Sequence, residues 1–314
     1  MKKIILTITA AIALSFSVKA QDEAIFSHYI VNPMLINPAM AGFNDNVQIF
    51  GHMRNQWSGF TGAPKTYSLT VDLPVTEKVG LGGVILSENF GPMNRFKGQL
   101  NYAYRYAGKG IKWSAGFSTE FSRSRMDASI NDPTLNPLND KNDQVVTDRI
   151  KGVTYFDAAF GATALFDDKI IVSLTVPNLA RIPLGEIDNT KNERTLFKQF
   201  ILMGGYRITK SQITFEPSIQ FRKVYKSSFE VDANFKASLF ENKLVTALQV
   251  RPGKSGQVGF LVGTKQPSFS IYYSYNSSLA EFKSYERTAH EVTLGIEISK
   301  AEKKIERGAK RYRN

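Results

Sequence analysis

Three acidic residues are the first candidates for chemistry in this sequence. Glu216, Glu230 and Asp232 could supply a carboxylate pair for glycoside hydrolysis, which needs two such groups ~5 to 9.5 Å apart. Each falls in a stretch that alternates polar and apolar residues, where it reads as an ordinary water-facing side chain of a strand. The histidines His28, His52 and His290 are scattered and lack the spacing of zinc ligands. Asp127, Asp132, Asp140, Asp143 and Asp148 could hold Ca²⁺ through carboxylate oxygens. Lys141, Arg149 and Lys151 interrupt them, and a solvated loop is the simpler account. The chain has no cysteine, which excludes a disulfide framework, a thiolate metal site and a cysteine nucleophile. Gly80-Leu81-Gly82-Gly83 lies inside a strand pattern and opens no helix, so it is no phosphate or dinucleotide loop. The residue chemistry therefore predicts no enzyme, no cofactor and no metal.

The elements that carry these residues are strands. In 228–239, Phe229, Val231, Ala233, Phe235, Ala237 and Leu239 share one face, and Ser228, Glu230, Asp232, Asn234, Lys236 and Ser238 share the other. Segments 95–106 and 212–222 repeat the pattern, although Pro217 in the second cannot donate to a ladder and predicts a bulge. The whole chain reads as fourteen strands near 46–54, 65–73, 78–88, 94–107, 111–123, 154–165, 168–176, 195–208, 212–223, 228–240, 242–250, 256–264, 268–276 and 288–298. Taken alternately, the connections sort by length: 55–64, 124–153, 177–194 and 277–287 fall in one set, and short turns make the other. Bacterial outer-membrane barrels segregate long outer loops from short periplasmic turns in this way. The predicted fold is all-β, a single transmembrane outer-membrane β-barrel of about fourteen antiparallel strands spanning 46–299.

Export fits that reading. Residues 1–20 combine Lys2 and Lys3, an apolar run from Ile4 to Phe16, and Val18-Lys19-Ala20 with small residues where a signal peptidase reads, predicting cleavage after Ala20. No later run is long enough for a transmembrane helix, and mean hydropathy is -0.22, whereas alternating barrel strands are only mildly hydrophobic on average. Losing Lys2, Lys3 and Lys19 takes Lys and Arg from 40 to 37 against 28 acids, a net +9. Of this, 300–314 holds +5, with seven basic and two acidic residues. This charge sits in a tail and not on a folded face, which argues against nucleic acid as a partner. Lys303, Lys304, Arg307, Lys310, Arg311 and Arg313 are candidate contacts of a basic periplasmic tail.

Two motifs precede or follow the first strand. Residues 21–45 contain Asn32-Pro33, Asn37-Pro38 and Gly42; the prolines disfavour a regular helix and predict an irregular periplasmic or plug-like segment, with a capping arm on the rim as the alternative. On the first outward loop, Arg54, Gln56, Trp57, Gly59, Phe60, Gly62 and Pro64 predict either a constriction or partner surface, or simply an aromatic anchor at the membrane interface.

Phe-Ser-His-Tyr (26–29), Asn-Pro-Met-Leu-Ile-Asn-Pro-Ala-Met-Ala-Gly (32–42), Arg-Asn-Gln-Trp-Ser-Gly-Phe-Thr-Gly-Ala-Pro-Lys-Thr (54–66) and Val-Gly-Leu-Gly-Gly-Val-Ile (79–85) together resemble the PorP/SprF family. That family comprises outer-membrane proteins of the type IX secretion and gliding motility machinery of Bacteroidota. The resemblance implies a non-enzymatic barrel that supports export or surface attachment of a partner adhesin, or assembly of secretion components, within outer-membrane lipid. From the residues alone, a diffusion channel or solute transporter is the alternative.

Overall fold

The computed structural model describes residues 26–131, 143–185, 199–223, 229–253, 256–279 and 288–299. Sixteen strand segments form one antiparallel sheet. The first half comprises β1 (Val47–Gln56), β2 (Lys65–Pro74), β3 (Val79–Phe90), β4 (Met93–Gly108), β5 (Ile111–Met126), β6 (Val153–Phe166), β7 (Ile170–Val176) and β8 (Ile182–Leu184). The second comprises β9 (Phe200–Tyr206), β10 (Ile208–Lys210), β11 (Ile213–Lys223), β12 (Glu230–Leu239), β13 (Leu244–Arg251), β14 (Gln257–Lys265), β15 (Phe269–Ser278) and β16 (Thr288–Ile298). Both β7 and β8 pair with β6, and both β9 and β10 pair with β11, so sixteen segments make fourteen barrel strands. Pairing of β1 with β16, from Val47 opposite Ile298 to Gln56 opposite Ala289, closes the ring and leaves no free edge.

The wall is inverted relative to a soluble protein. On β2, Thr66, Ser68, Thr70 and Asp72 are buried while Tyr67, Leu69 and Leu73 are exposed. The inward–outward alternation recurs along most of the long strands, as expected when one face meets hydrocarbon and the other the lumen, although β3, β13 and β14 also turn apolar Val84, Leu86, Val245, Ala247 and Leu261 inward. Phe235 is 47% exposed and stacks on Phe215 across the β11–β12 pair at 5.6 Å. Phe235→Arg should cost roughly 2–4 kcal/mol near the bilayer midplane. The lumen-facing Lys236→Arg should be near neutral in the same refolding titration, and equal effects would remove the basis for placing Phe235 against lipid.

The bulge expected at Pro217 is absent. Pairing of β11 with β12 runs without a skip from Thr214 opposite Ser238 to Arg222 opposite Glu230, with Pro217 opposite Phe235. The missing N–H is absorbed on the other side, where the strand divides between β9 and β10 at Arg207. Arg207 turns its own N–H to Lys169 O at 2.7 Å.

One end of the barrel carries only tight connections, at 75–78, 109–110, 167–169, 211–212, 240–243 and 266–268. Positive φ at Gly110, Asp167, Asp168, Ser211, Glu241 and Asn242 makes those turns compact. All longer connections leave from the opposite end. One of them holds α1 (Gln144–Lys151), capped by Asp143.

Candidate functional site

The segment 26–43 lies inside the barrel, and its two Asn-Pro pairs explain its path. Pro33 and Pro38 each open a short 3₁₀ turn, at Pro33–Leu35 and Pro38–Met40, because a fixed φ suits the first turn position. The preceding asparagines stay out of the helical region and turn their side chains to the wall. Asn37 accepts from Ala39 N at 2.8 Å and donates to Thr163 Oγ1 at 3.0 Å and Ser173 Oγ at 2.6 Å. Asn32 donates to Thr70 Oγ1 at 2.8 Å and His52 Nε2 at 3.0 Å.

Glycines of the wall make room for this backbone. A Cβ on Gly116 would stand 2.5 Å from Ala39 N, and one on Gly82 2.5 Å from Met34 Sδ. A third approach is at Gly42, which adopts φ +65° and faces Gly80 and Pro74 backbone. Its N–H donates to Asp72, and its carbonyl accepts from Arg105. Arg105 also donates to Asp45 at 2.9 Å and to Thr76 O at 2.6 Å, so one guanidinium fastens the exit of the segment to the short-turn end.

At its other end the segment reaches the long-loop half of the lumen, deeper than a plug confined to the short-turn mouth. There Glu291, fully buried, accepts from Ser27 N at 2.9 Å, His28 N at 3.1 Å and Arg54 Nη1 at 2.9 Å. The hydrogen bonds assign a consistent set of neutral imidazoles. Asn32 donates to His52 Nε2, so His52 Nδ1 carries the proton and donates to Thr293 Oγ1 at 2.7 Å. The Thr293 hydroxyl then donates to His28 Nδ1 at 2.5 Å, and His28 Nε2 donates to Ser274 Oγ at 2.9 Å.

His28, His52 and Glu291 thus converge, with one ligand atom of each within 4.8 Å of the others, although they are distant in sequence. This is the one place among the described residues where a cation could be considered. Its ring nitrogens are engaged with Asn32, Ser274 and Thr293, and the Arg54 guanidinium neutralises its carboxylate, so the chemistry is that of an anchor for the segment. A second anchor holds Tyr29, whose hydroxyl accepts from Asn234 at 2.9 Å and Gln249 at 3.1 Å.

The sequence candidates separate as follows. Glu216 pairs with Arg207 and Lys236, Glu230 with Arg222, and Asp232 with Arg251 through two hydrogen bonds of 2.5 and 3.0 Å. Every one of these carboxylates faces a cation. His290 lies on the outer face, where it meets Tyr273 and Tyr275. Of the loop acids, Asp127 accepts from Ser129 N, which holds its carboxyl below the ordinary range, Asp143 caps α1, and Asp148 accepts from Gln144. Asp132 and Asp140 lie outside the described residues, as do 1–25 and the basic side chains of 300–314.

The motif 54–64 divides. Arg54 belongs to the inner network. The remainder lies at the long-loop rim, where Gln56 N donates to Pro64 O at 2.9 Å and Gly91 N to Gly62 O at 2.8 Å. Gly59 and Gly62 take positive φ, Trp57 packs edge-on against Phe90 at 5.7 Å, and Phe60 is 43% exposed. Sequence reasoning missed Asp72, Arg105, Glu291 and Thr293. A usable signal existed for three of them: a charge at an inward position has to find a partner.

Between the segment and the far wall, a vestibule of about 820 Å³ extends to the short-turn end. Its apolar part includes Ile30, Val31, Met40 and Phe43, and its rim carries Asp45, Lys112, Lys169, Lys236 and Glu297.

A family model described as type IX secretion system membrane protein PorP/SprF matches residues 18–296. Among solved structures, the fold is similar to a KdgM porin, at 12% identity over 80% of this chain and 98% of that chain, with a TM-score of 0.39. It is also similar to the toluene transporter TbuX of Ralstonia pickettii, at 10% identity over 84% and 92%, with a TM-score of 0.48. A third is the outer membrane protein Omp33 of Acinetobacter baumannii, at 7% identity over 81% and 97%, with a TM-score of 0.44. No curated protein matches the sequence.

Proposed function

The chain belongs to the PorP/SprF family of type IX secretion system membrane proteins, and from that premise we propose that it is a non-enzymatic outer-membrane barrel that supports export or surface attachment of a partner adhesin, or assembly of the secretion machine. The observation that carries this reading is the inner segment. Residues 26–43 are fixed in the lumen by buried hydrogen bonds and close glycine contacts, so the inside of the barrel is occupied along the path a solute would take. A barrel that offers surfaces to other proteins gains from that rigidity and needs no open path. The long-loop end, with 54–64 and α1, is the outward face in this reading, and the short-turn end with its vestibule faces the periplasm, together with the tail 300–314.

Two measurements test the reading together. Cells lacking the protein should lose surface display of a type IX substrate while solute uptake stays normal. Purified protein in liposomes should pass no small sugar. Intact display combined with a growth defect on one nutrient, and selective flux in liposomes, would make the protein a transporter.

A further inference from the structure

The run Gly80-Leu81-Gly82-Gly83 contains a glycine that the inner segment does not explain. Gly80 and Gly82 point inward and meet Ala41 and Met34, but a Cβ on Gly83 would meet nothing within 4 Å, and the same holds for Gly98 on β4. Both lie on the outer face, in neighbouring strands and adjacent rows: Gly83 pairs with Leu100, and Gly98 with Ile85. A strand glycine gives up packing and backbone entropy, and a lipid-facing wall is ordinarily filled by large apolar side chains. Here the two glycines floor an open groove of about 450 Å³, walled by Ile85, Phe96, Leu100 and Phe121. That volume lies within the range of ligand pockets (~300–1,000 Å³).

Towards the long-loop end the groove stops being apolar. Phe121 lies opposite Gly98, and the next outward positions of β5 are Arg123 and Arg125, both exposed. Successive outward residues of a strand stand about 7 Å apart, so the two guanidiniums rise from the groove towards the headgroup level. An arginine there costs ~0–1 kcal/mol, in contrast to the midplane. Arg123 donates one Nη2 hydrogen to Lys151 O at the end of α1 at 3.1 Å, which orients it. A guanidinium has further donors in a planar fork that matches phosphate oxygens.

We propose that the outer groove between β3 and β5, floored by Gly83 and Gly98 and headed by Arg123 and Arg125, binds a phosphorylated glycolipid of the outer leaflet. One acyl chain lies along the glycine floor against Phe96 and Phe121, and a sugar phosphate meets the two arginines. The groove accounts for the chain and the arginines for the anionic headgroup; a zwitterionic phospholipid brings only a singly charged phosphodiester with an ammonium beside it, which two guanidiniums hold more weakly than a phosphomonoester. With the long-loop end outward, the arginines stand in the leaflet where such glycolipids reside.

Native mass spectrometry of the full chain in mild detergent tests this, with phosphorylated outer-leaflet glycolipid, its dephosphorylated form, phosphatidylethanolamine and inorganic phosphate as probes. The wild type should retain one phosphorylated glycolipid at collision energies that strip the phosphatidylethanolamine. Gly98→Leu, which fills the groove, and the double variant Arg123→Gln/Arg125→Gln should each reduce retention roughly tenfold, the scale of one lost charge-assisted or well-buried contact. Gly51→Leu, at another outward glycine with open space on β1, should retain it as the wild type does. The proposal is overturned if both variants keep the lipid, if the dephosphorylated lipid or phosphatidylethanolamine is held equally well, or if inorganic phosphate alone binds. Should Gly98→Leu fail to fold, the arginine pair decides.

Discussion

Gly42→Val is expected to release the inner segment from a barrel that remains folded. Valine at φ +65° would cost ~1–2 kcal/mol in backbone strain. Its Cβ would stand 2.6 Å from the Gly80 Cα and 3.2 Å from the Pro74 Cα, both backbone atoms that cannot swing aside. Relief requires Gly42 to move, which breaks its bonds to Asp72 and Arg105 and leaves Asp72 buried without that N–H. Together these effects exceed roughly 3 kcal/mol, more than a hundredfold in the ratio of seated to released segment. The ladder of the fourteen strands, closed between β1 and β16, does not depend on the segment for its hydrogen bonds. The variant should therefore keep the heat-dependent gel mobility of a folded barrel, pass small sugars in liposomes, and expose 26–43 to protease. A sealed and protease-resistant Gly42→Val barrel would show that this hinge does not hold the segment.

The second large effect is at Glu291. Glu291→Ala removes the acceptor of two backbone N–H groups and leaves Arg54, 5% exposed, as an uncompensated buried cation. Breaking a buried pair by removing one partner costs about 3–5 kcal/mol. Ser27 and His28 donate to different oxygens of Glu291, so Glu291→Gln keeps an acceptor for one of the two N–H groups and should lose less than alanine. A double variant, Arg54→Met with Glu291→Gln, removes the stranded cation and should recover part of the loss. Thermal unfolding followed by gel mobility, with protease access to 26–43, gives the order wild type, double variant, Glu291→Gln, Glu291→Ala. An Glu291→Ala protein as stable as wild type would mean that water enters the network and solvates Arg54.

Much of this architecture was legible in the residues. Strict period-two alternation in 228–239 places Phe235 and Asp232 on opposite faces whatever the strand is paired with, since the pleat alone sets that geometry. Counting such stretches gave the fourteen strands, and the segregation of connection lengths gave the two ends. Asn32-Pro33 and Asn37-Pro38 marked an irregular segment, because a proline constrains its own backbone and that of its predecessor. The expected bulge at Pro217 did not form, because the strand next to it, at Arg207, could yield its pairing instead.

What alternation could not encode was the partner each inward face would meet. His28, His52 and Glu291 carry no spacing signal, as they come from the inner segment and the two strands that close the ring, joined only when β16 returns to β1. The glycine run shows the division most sharply. Sequence determined that Gly80 and Gly83 lie on opposite faces of β3, because their separation is odd. Only the tertiary structure decided that Gly80 is glycine because Ala41 leaves no room for a Cβ, while Gly83 opens a groove to the lipid. Side-chain direction is fixed by bonds within the strand, whereas the need for or absence of a side chain is fixed by atoms brought there from elsewhere in the chain.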